Sequence, residues 1–385
     1  LLTRFWAETY PIWRACQLSW THYGRSEPEA HILGPVASLR AAIIGYGLAG
    51  RFFHAPLIAA TEGLVLSTVV TSSPERQAQV SREHPGAQVL GSPTELWAAA
   101  SDHDLVVIAT PNRAHAPLAG KAIDHRLPVV VDKPLAMTSG EAAELISHAE
   151  RASTLLTVFQ NRRWDSDQLT LARLLAEDRL GTVVRYESRF ERWRPSASAE
   201  AWRDTSSPEL GGGQLLDLGS HLVDQALVLF GPVTHVYGEV EAVRGAAGDD
   251  DAFLALRHAQ GAISHLRASA VTAAPGPRLR VLGTKAAFVV RDVDGQEDAL
   301  RAGARPDQGP EWGSEPEAHW GQLVAGEDSV PVPSERGDWP RFYALLVRAL
   351  RDGGPPPVDP HDAVAALGVI EAARRSAASR QVVAL

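Results

Sequence analysis

A chain of 385 residues, 45% hydrophobic and 22% charged, has the make-up of a globular protein long enough for two domains. Its formal net charge of -9 argues against nucleic-acid and anionic-membrane partners, which need a basic surface, and no uncharged apolar run reaches the roughly 18 residues of a membrane span. A single cysteine, Cys16, excludes an intrachain disulfide framework and fits a reducing cytoplasm, the expected location.

Residues 1–38 carry Trp6, Trp13 and Trp20 but no sustained helical or strand period. They lack the compact apolar core and small-residue cleavage site of a secretory signal. They are expected to be an extension, or the product of a misplaced start, with the working domain beginning near Leu39.

From Leu39 onward, short apolar runs alternate with helix-length amphipathic stretches: LRAAIIG, LVLSTVVT, AQVL, DLVVIAT, PVVVD and TLLTVF. Near-continuous apolar strands separated by helices predict a parallel sheet covered on both faces. Ser92 to Glu95 and Thr138 to Glu141 read as capping boxes that start two of those helices. After Phe159 the rhythm changes. One amphipathic helix is expected over Asp165 to Leu180, and TVVRYESRFERW alternates like a half-exposed strand. The segments VTHVYGEVEAV, DAFLALRH, AISHLRASAV and RLRVLGTKAAFVV then follow one another with short turns, which predicts an antiparallel sheet. Residues 303–337, rich in Gly, Pro and charge, read as loop, and helices over Trp339 to Arg351 and His361 to Ser379 close the chain. The fold class is therefore α/β: an extension over 1–38, a Rossmann domain over 39–160 and an α+β domain with a large, mainly antiparallel sheet over 161–385.

The stretch AAIIGYGLAG places Gly45, Gly47 and Gly50 directly after a strand and at the opening of a helix. Gly45 permits the tight turn, Gly47 lets the backbone approach a pyrophosphate, and Gly50 allows close packing of helix on strand. The anion then meets the free N–H groups of a helix start. Gly45 to Gly50, with Tyr46, Leu48 and Ala49 between the glycines, are thus cofactor candidates. A tight turn without a ligand is the alternative.

The second strand ends in VVTSSPER, where Thr71, Ser72, Ser73 and Arg76 stand in place of the acid that usually receives an NAD ribose. NADP(H) is favoured and NAD(H) remains possible; Ser73 also suits a helix cap. After the fourth strand, Thr110, Pro111, Asn112 and His115 lie at a carboxyl end, where ligands of such sheets bind. An Asx turn at Asn112 and a packed His115 are equally open.

Asp132 and Lys133 end the fifth apolar run, a position where a cation needs a partner or a purpose. In GGGQLLDLGSHLVDQ, Asp217 and His221 are four apart and would share one helix face, with Asp224 three further on. An aspartate beside a histidine can orient the ring and raise its basicity for proton transfer. A metal site is the rival reading, but the two residues alone fall short of a ligand set. Together with the glycine turn, Lys133 and the Asp/His helix suit hydride transfer: Lys133 stabilises charge on the reacting oxygen and His221 moves its proton. Asn161, Arg162, Arg163, Trp164 and Asp165, where the chain crosses between domains, offer polar groups and an aromatic wall to a polyol or sugar. Surface ion pairs and packing at the domain joint would explain the same residues. Arg192 and Trp193 form a second candidate wall.

These motifs, in this order from Leu39 to Leu385, resemble the glucose-fructose oxidoreductase, inositol dehydrogenase and rhizopine-catabolism family, called Gfo/Idh/MocA. The resemblance implies catalytic roles for Lys133, Asp217 and His221 and an open second sheet that forms dimers or tetramers. It also implies a peptide before Pro134 that is often cis. Asp132 stands where the family more often has Glu. GYGLAGRFFHAPLI and VFQNRRWDSDQLTLARLL are similar to the branch of NADP-dependent scyllo-inositol dehydrogenases, which implies oxidation of a cyclic polyol or the reverse reduction. Another keto-sugar or small carbonyl substrate is the alternative. So is a nucleotide-binding regulator without turnover, although a regulator need not keep all three catalytic residues.

Overall fold

The structure is a computed structural model that describes residues 37–198 and 202–385. Cys16, the three early tryptophans and all of the expected extension except residues 37 and 38 lie outside the described residues.

Strand β1 (Leu39–Ile44) leads through the glycine loop into a π-helical turn (Gly50–His54) and helix α1 (Ala55–Ala59). Then follow β2 (Leu64–Val70), α2 (Pro74–Glu83), β3 (Gln88–Leu90), α3 (Pro93–Ala98) and β4 (Leu105–Ile108). Helix α4 (His115–Asp124), β5 (Val129–Asp132), α5 (Ser139–Ala152) and β6 (Leu156–Phe159) complete the first unit. The six strands form one parallel sheet in the order β3-β2-β1-β4-β5-β6. β4 and β6 are buried at every position, as strands covered on both faces should be. The order reverses between β1 and β4, so the glycine loop and the Thr110 segment open on the same crevice.

Of the two predicted capping boxes, the one at Thr138 forms its cap bond and the one at Ser92 does not. The Thr138 hydroxyl accepts from Glu141 N at 3.1 Å, while the Glu141 carboxylate reaches back to Met137 N at 3.0 Å. The Ser92 hydroxyl instead donates to the Glu95 carboxylate at 2.8 Å and makes no cap bond.

Helix α6 (Ser166–Ala176) is shorter than expected and is followed by β7 (Val183–Glu191). Two helices, α7 (Gln214–Asp217) and α8 (Gly219–Phe230), precede β8 (Val233–Glu241), β9 (Asp251–His258), β10 (Ile263–Ser269), β11 (Leu279–Gly283) and β12 (Ala287–Val290). After α9 (Gln296–Arg301) come β13 (Gly321–Ala325), β14 (Asp328–Val332), α10 (Pro340–Asp352), α11 (Pro360–Ser379) and β15 (Val383–Ala384). Nine strands build the second sheet, in the order β14-β13-β12-β11-β7-β10-β9-β8-β15. Only the β7–β10 pair is parallel.

The segment expected to be loop, 303–337, thus contains the β13–β14 hairpin. Pro331 in β14 is tolerated because that strand is the sheet edge and is largely exposed. One face of the sheet packs on α8 and α11. The opposite face carries a charged ladder in which Glu187 bonds Arg189 at 2.8 Å and Arg280 at 3.1 Å.

The last two long helices return to the first unit. Glu371 of α11 accepts from the backbone and hydroxyl of Ser139 at 2.7 and 2.8 Å. The Thr157 hydroxyl bonds the Val358 carbonyl at 2.8 Å. Phe342 and Tyr343 of α10 pack against Phe159 of β6, the first edge-on and the second tilted, with ring centroids 4.9 and 6.0 Å apart. The two halves therefore share a buried aromatic joint, which fixes the second sheet relative to the strand that precedes the crossover.

Candidate active site

The three glycines of the first loop have different reasons to be glycine. Gly45 has φ +101°, and a Cβ there would stand 2.4 Å from the Ala109 carbonyl oxygen. At Gly50 a Cβ would meet the Gly45 oxygen at 2.0 Å. Both are required by the fold itself. Around Gly47, by contrast, nothing lies within 4 Å, and its φ is outside the left-handed range. Packing does not demand a glycine there, and the open space suits the close approach of a ligand. Near the same crevice the Thr110 hydroxyl is buried without a hydrogen-bond partner. An open glycine beside an orphaned hydroxyl at the carboxyl ends of β1 and β4 fits a dinucleotide.

Other candidates for the cofactor divide into two groups. The Tyr46 side chain is buried, and its hydroxyl donates to Glu83 at 2.7 Å, so only its backbone faces the loop. Thr71 is buried, and Ser73 caps α2 by accepting from Arg76 N at 3.4 Å. Ser72 and Arg76 are exposed, and the Arg76 guanidinium has no hydrogen bond or ion pair among the described residues. Leu48 is exposed and Ala49 half-buried beside Gly47. Asn112 and His115 act as ties. The Asn112 amide donates to the Gly211 carbonyl at 3.1 Å, and the His115 ring sits 2.8 Å from the Thr110 carbonyl and 2.7 Å from the Pro134 carbonyl. Pro111 precedes the short turn Asn112–Ala114 that leads into α4.

The Lys133–Pro134 peptide is cis. Asp132 accepts from Lys133 N at 2.8 Å. The Lys133 ammonium crosses to the second unit and donates to both the Asp217 carboxylate and the Asp217 carbonyl, each at 2.7 Å. Asp217 ends α7, and α8 begins only after Leu218, so the expected single Asp/His helix is broken between them. The carbonyl at the break is occupied by Lys133 and by the Ser220 hydroxyl at 3.1 Å.

His221 is buried and its Nδ1 has no hydrogen-bond partner. Burial, followed by the positive charges of Lys133 and Arg162, holds its pKa well below the ordinary histidine value. Asp217 pulls the other way, as its place in the sequence suggests, but its carboxylate is bonded to Lys133 and burial outweighs it. The ring is therefore neutral at pH 7.

Arg163 and Asp224 pair with each other rather than with the catalytic group. Arg163 bonds Asp224 at 2.6 and 2.9 Å and Asp362 at 2.8 Å. These pairs are buried at the joint, not on the surface. Trp164 is buried edge-on against Phe342, and Asn161 is buried in the same turn. Arg162 bonds Asp165 at 3.2 Å and Glu297 at 2.6 Å.

Beneath His221 lies a stack that sequence spacing did not reveal. The Phe190 ring is 6.4 Å from the His221 ring, and the guanidinium groups of Arg162, at 4.8 Å, and Arg278, at 4.1 Å, lie over it. Its members come from three separate strands or turns, so no local period marks them. Alternation along β7 was the one available signal, since it puts Phe190 on the inner face.

Comparison with known proteins agrees with this architecture. The family described as "Oxidoreductase family, NAD-binding Rossmann fold" matches residues 39–160, and "Oxidoreductase family, C-terminal alpha/beta domain" matches 172–385. The oxidoreductase YdgJ of Escherichia coli is 37% identical over 90% of this chain and 99% of its own length. The scyllo-inositol 2-dehydrogenase (NADP(+)) IolW of Bacillus subtilis is 33% identical over 91% of this chain and 97% of its own. Among solved structures, the oxidoreductase yvaA of Bacillus subtilis superposes with a TM-score of 0.84 at 32% identity, covering 92% of this chain and all of that one. With both domain types matched and relatives aligned along nearly their whole length, this chain belongs to the Gfo/Idh/MocA family of oxidoreductases.

Proposed function

We propose that the protein transfers a hydride between NADP(H) and a secondary alcohol or ketone of a cyclic polyol such as an inositol, or of a sugar, using Lys133, Asp217 and His221. The observation that carries this reading is the Lys133 ammonium, held at 2.7 Å by Asp217 across the two units, beside a buried His221 with a free Nδ1. An ammonium has three donors. Two are bound to Asp217, which leaves the third for a substrate oxygen.

The bound nicotinamide supplies the hydride acceptor or donor. In the oxidative direction neutral His221 takes the hydroxyl proton, and Lys133 hydrogen-bonds the same oxygen as negative charge grows on it. Asp217 fixes the lysine through two bonds. The depressed pKa of His221 keeps the ring unprotonated at neutral pH, so its free Nδ1 is open to accept a proton. In the reverse direction the protonated ring returns its proton to the oxygen.

Gly45 to Gly50 would receive the pyrophosphate, Thr110 its neighbouring groups, and Ser72, Ser73 and Arg76 the 2'-phosphate. Two things favour NADP(H) over NAD(H): the β2 tip has no acidic side chain, and IolW, a relative along almost the whole chain, is named as an NADP(+) enzyme. That same name supports an inositol substrate. Asn161 is assigned to substrate binding, with Arg163 and Trp164 holding its turn. A homodimer or tetramer through the charged face of the second sheet, acting in the cytoplasm, completes the proposal.

Replacing Lys133 with Ala and His221 with Asn tests the catalytic assignment. Turnover should fall by about 100- to 1,000-fold or more for the lysine variant, with NADPH binding largely retained. Normal turnover in either variant would remove that residue from the mechanism.

A further inference from the structure

Strand β7 presents Tyr186, Ser188 and Phe190 to the inner face, each buried, and its backbone continues past Glu191. Arg192 N still donates to the Ser269 carbonyl at 2.9 Å, extending the ladder with β10. Alternation puts the Arg192 side chain on the same inner face as Phe190, one two-residue step of roughly 6.6 Å further on. Its neighbours Glu191 and Trp193 point the other way: Glu191 pairs with Arg267 at 3.3 Å, and Trp193 is 57% exposed.

The half-buried Arg192 has no hydrogen-bonded or ion-paired side chain among the described residues. Burial lowers its pKa, as do the neighbouring charges of Arg194 and Arg162, while Glu297 and Asp217 raise it. Each of those carboxylates is already bonded to another cation. Glu297 holds Arg162 at 2.6 Å and Arg301 at 3.0 Å, and Asp217 holds Lys133 at 2.7 Å. Among the described residues the Arg192 guanidinium is thus paired with no carboxylate, and a half-buried charge is costly unless a ligand pairs it.

We propose that Arg192 is a substrate-binding residue that pairs a carboxylate on the substrate, so that a sugar acid binds more tightly than the neutral sugar of the same skeleton. The inference rests on the hydride-transfer reading for its location and narrows the substrate class. A planar guanidinium receives a carboxylate through two parallel bonds.

The test is calorimetric titration of the protein saturated with NADPH, using D-gluconate and D-galacturonate, their neutral counterparts D-glucose and D-galactose, and D-glucose 6-phosphate. At least one acid should bind ten-fold or more tightly than its neutral counterpart. Arg192→Gln should abolish that ratio, and Arg192→Lys should keep part of it. NADPH affinity, measured on the same variants, should be unchanged. No preference for either acid, a preference for the phosphate, or a preference that survives Arg192→Gln would overturn the assignment. Weakened NADPH binding in Arg192→Gln with an intact acid ratio would assign Arg192 to the cofactor instead. Arg192-dependent acid binding without Lys133-dependent turnover would leave the subsite standing and remove the reaction.

Discussion

Gly47→Ala and Gly50→Ala, two substitutions three residues apart, should have opposite effects. At Gly47 a methyl meets no protein atom within 4 Å and demands no left-handed backbone. Stability of the cofactor-free protein should therefore hold or rise, by about 0.4–1 kcal/mol through the stiffer unfolded chain. The same methyl enters the space a pyrophosphate would occupy, and overpacking of about 1–3 kcal/mol corresponds to about a 5- to 150-fold weaker Kd for NADPH. At Gly50 a methyl stands 2.0 Å from the Gly45 carbonyl oxygen and 3.0 Å from its carbon, both backbone atoms. The loop must move, so the cofactor-free protein loses on the order of 1–3 kcal/mol. Urea unfolding without cofactor and NADPH fluorescence titration read the two effects separately. Refutation would be a Gly47→Ala protein that is destabilised yet binds NADPH normally, because the glycine would then serve the fold alone.

Three further outcomes follow from the geometry. His54 is fully buried, with Nδ1 2.6 Å from the Tyr343 hydroxyl, and burial lowers its pKa from 6.5 to about 4. The unfolded chain then takes up a proton that the folded one refuses, so stability should decline as pH falls from about 6.5 to about 4, by about 3 kcal/mol from this residue. His54→Asn, compared with the parent by urea unfolding across that range, should flatten the decline; an unchanged slope would contradict the assignment. Arg163→Ala strands Asp224 and Asp362 together at the joint and should cost on the order of 3–5 kcal/mol. A ten-fold rise in substrate KM without loss of stability would instead make Arg163 a substrate contact. Arg76→Ala should weaken NADP(H) far more than NAD(H) in parallel titrations, and equal effects would remove the phosphate contact.

Residues whose chemistry repeats locally could be read from the sequence. The six strands of the first sheet were visible because a strand buried on both faces is a short continuous apolar run, and the glycine loop because its spacing follows the backbone. Lys133, Asp217 and His221 stood out as types that seldom sit at such positions without a partner. What was hidden depends on contacts distant in sequence. The β13–β14 hairpin reads as loop because its edge strand contains Pro331 and is mostly exposed. Nothing near Asp217 announces that its carbonyl will hold Lys133, 84 residues earlier, and split the helix. Arg163 looks like a sugar-binding group until Asp224 and Asp362 are brought to it from two later helices. Arg278 and Phe190, which flank His221 from below, carry no local signal that joins them to it.

The central claim is lysine-dependent hydride transfer, and initial rates of NADP+ and NAD+ reduction test it most directly. The substrates are inositol isomers, aldoses and sugar acids, with Lys133→Ala as the blank. The account predicts reduction of NADP+ in preference to NAD+ with at least one of them, falling to background in the blank. Equal rates in the parent protein and in Lys133→Ala would contradict it.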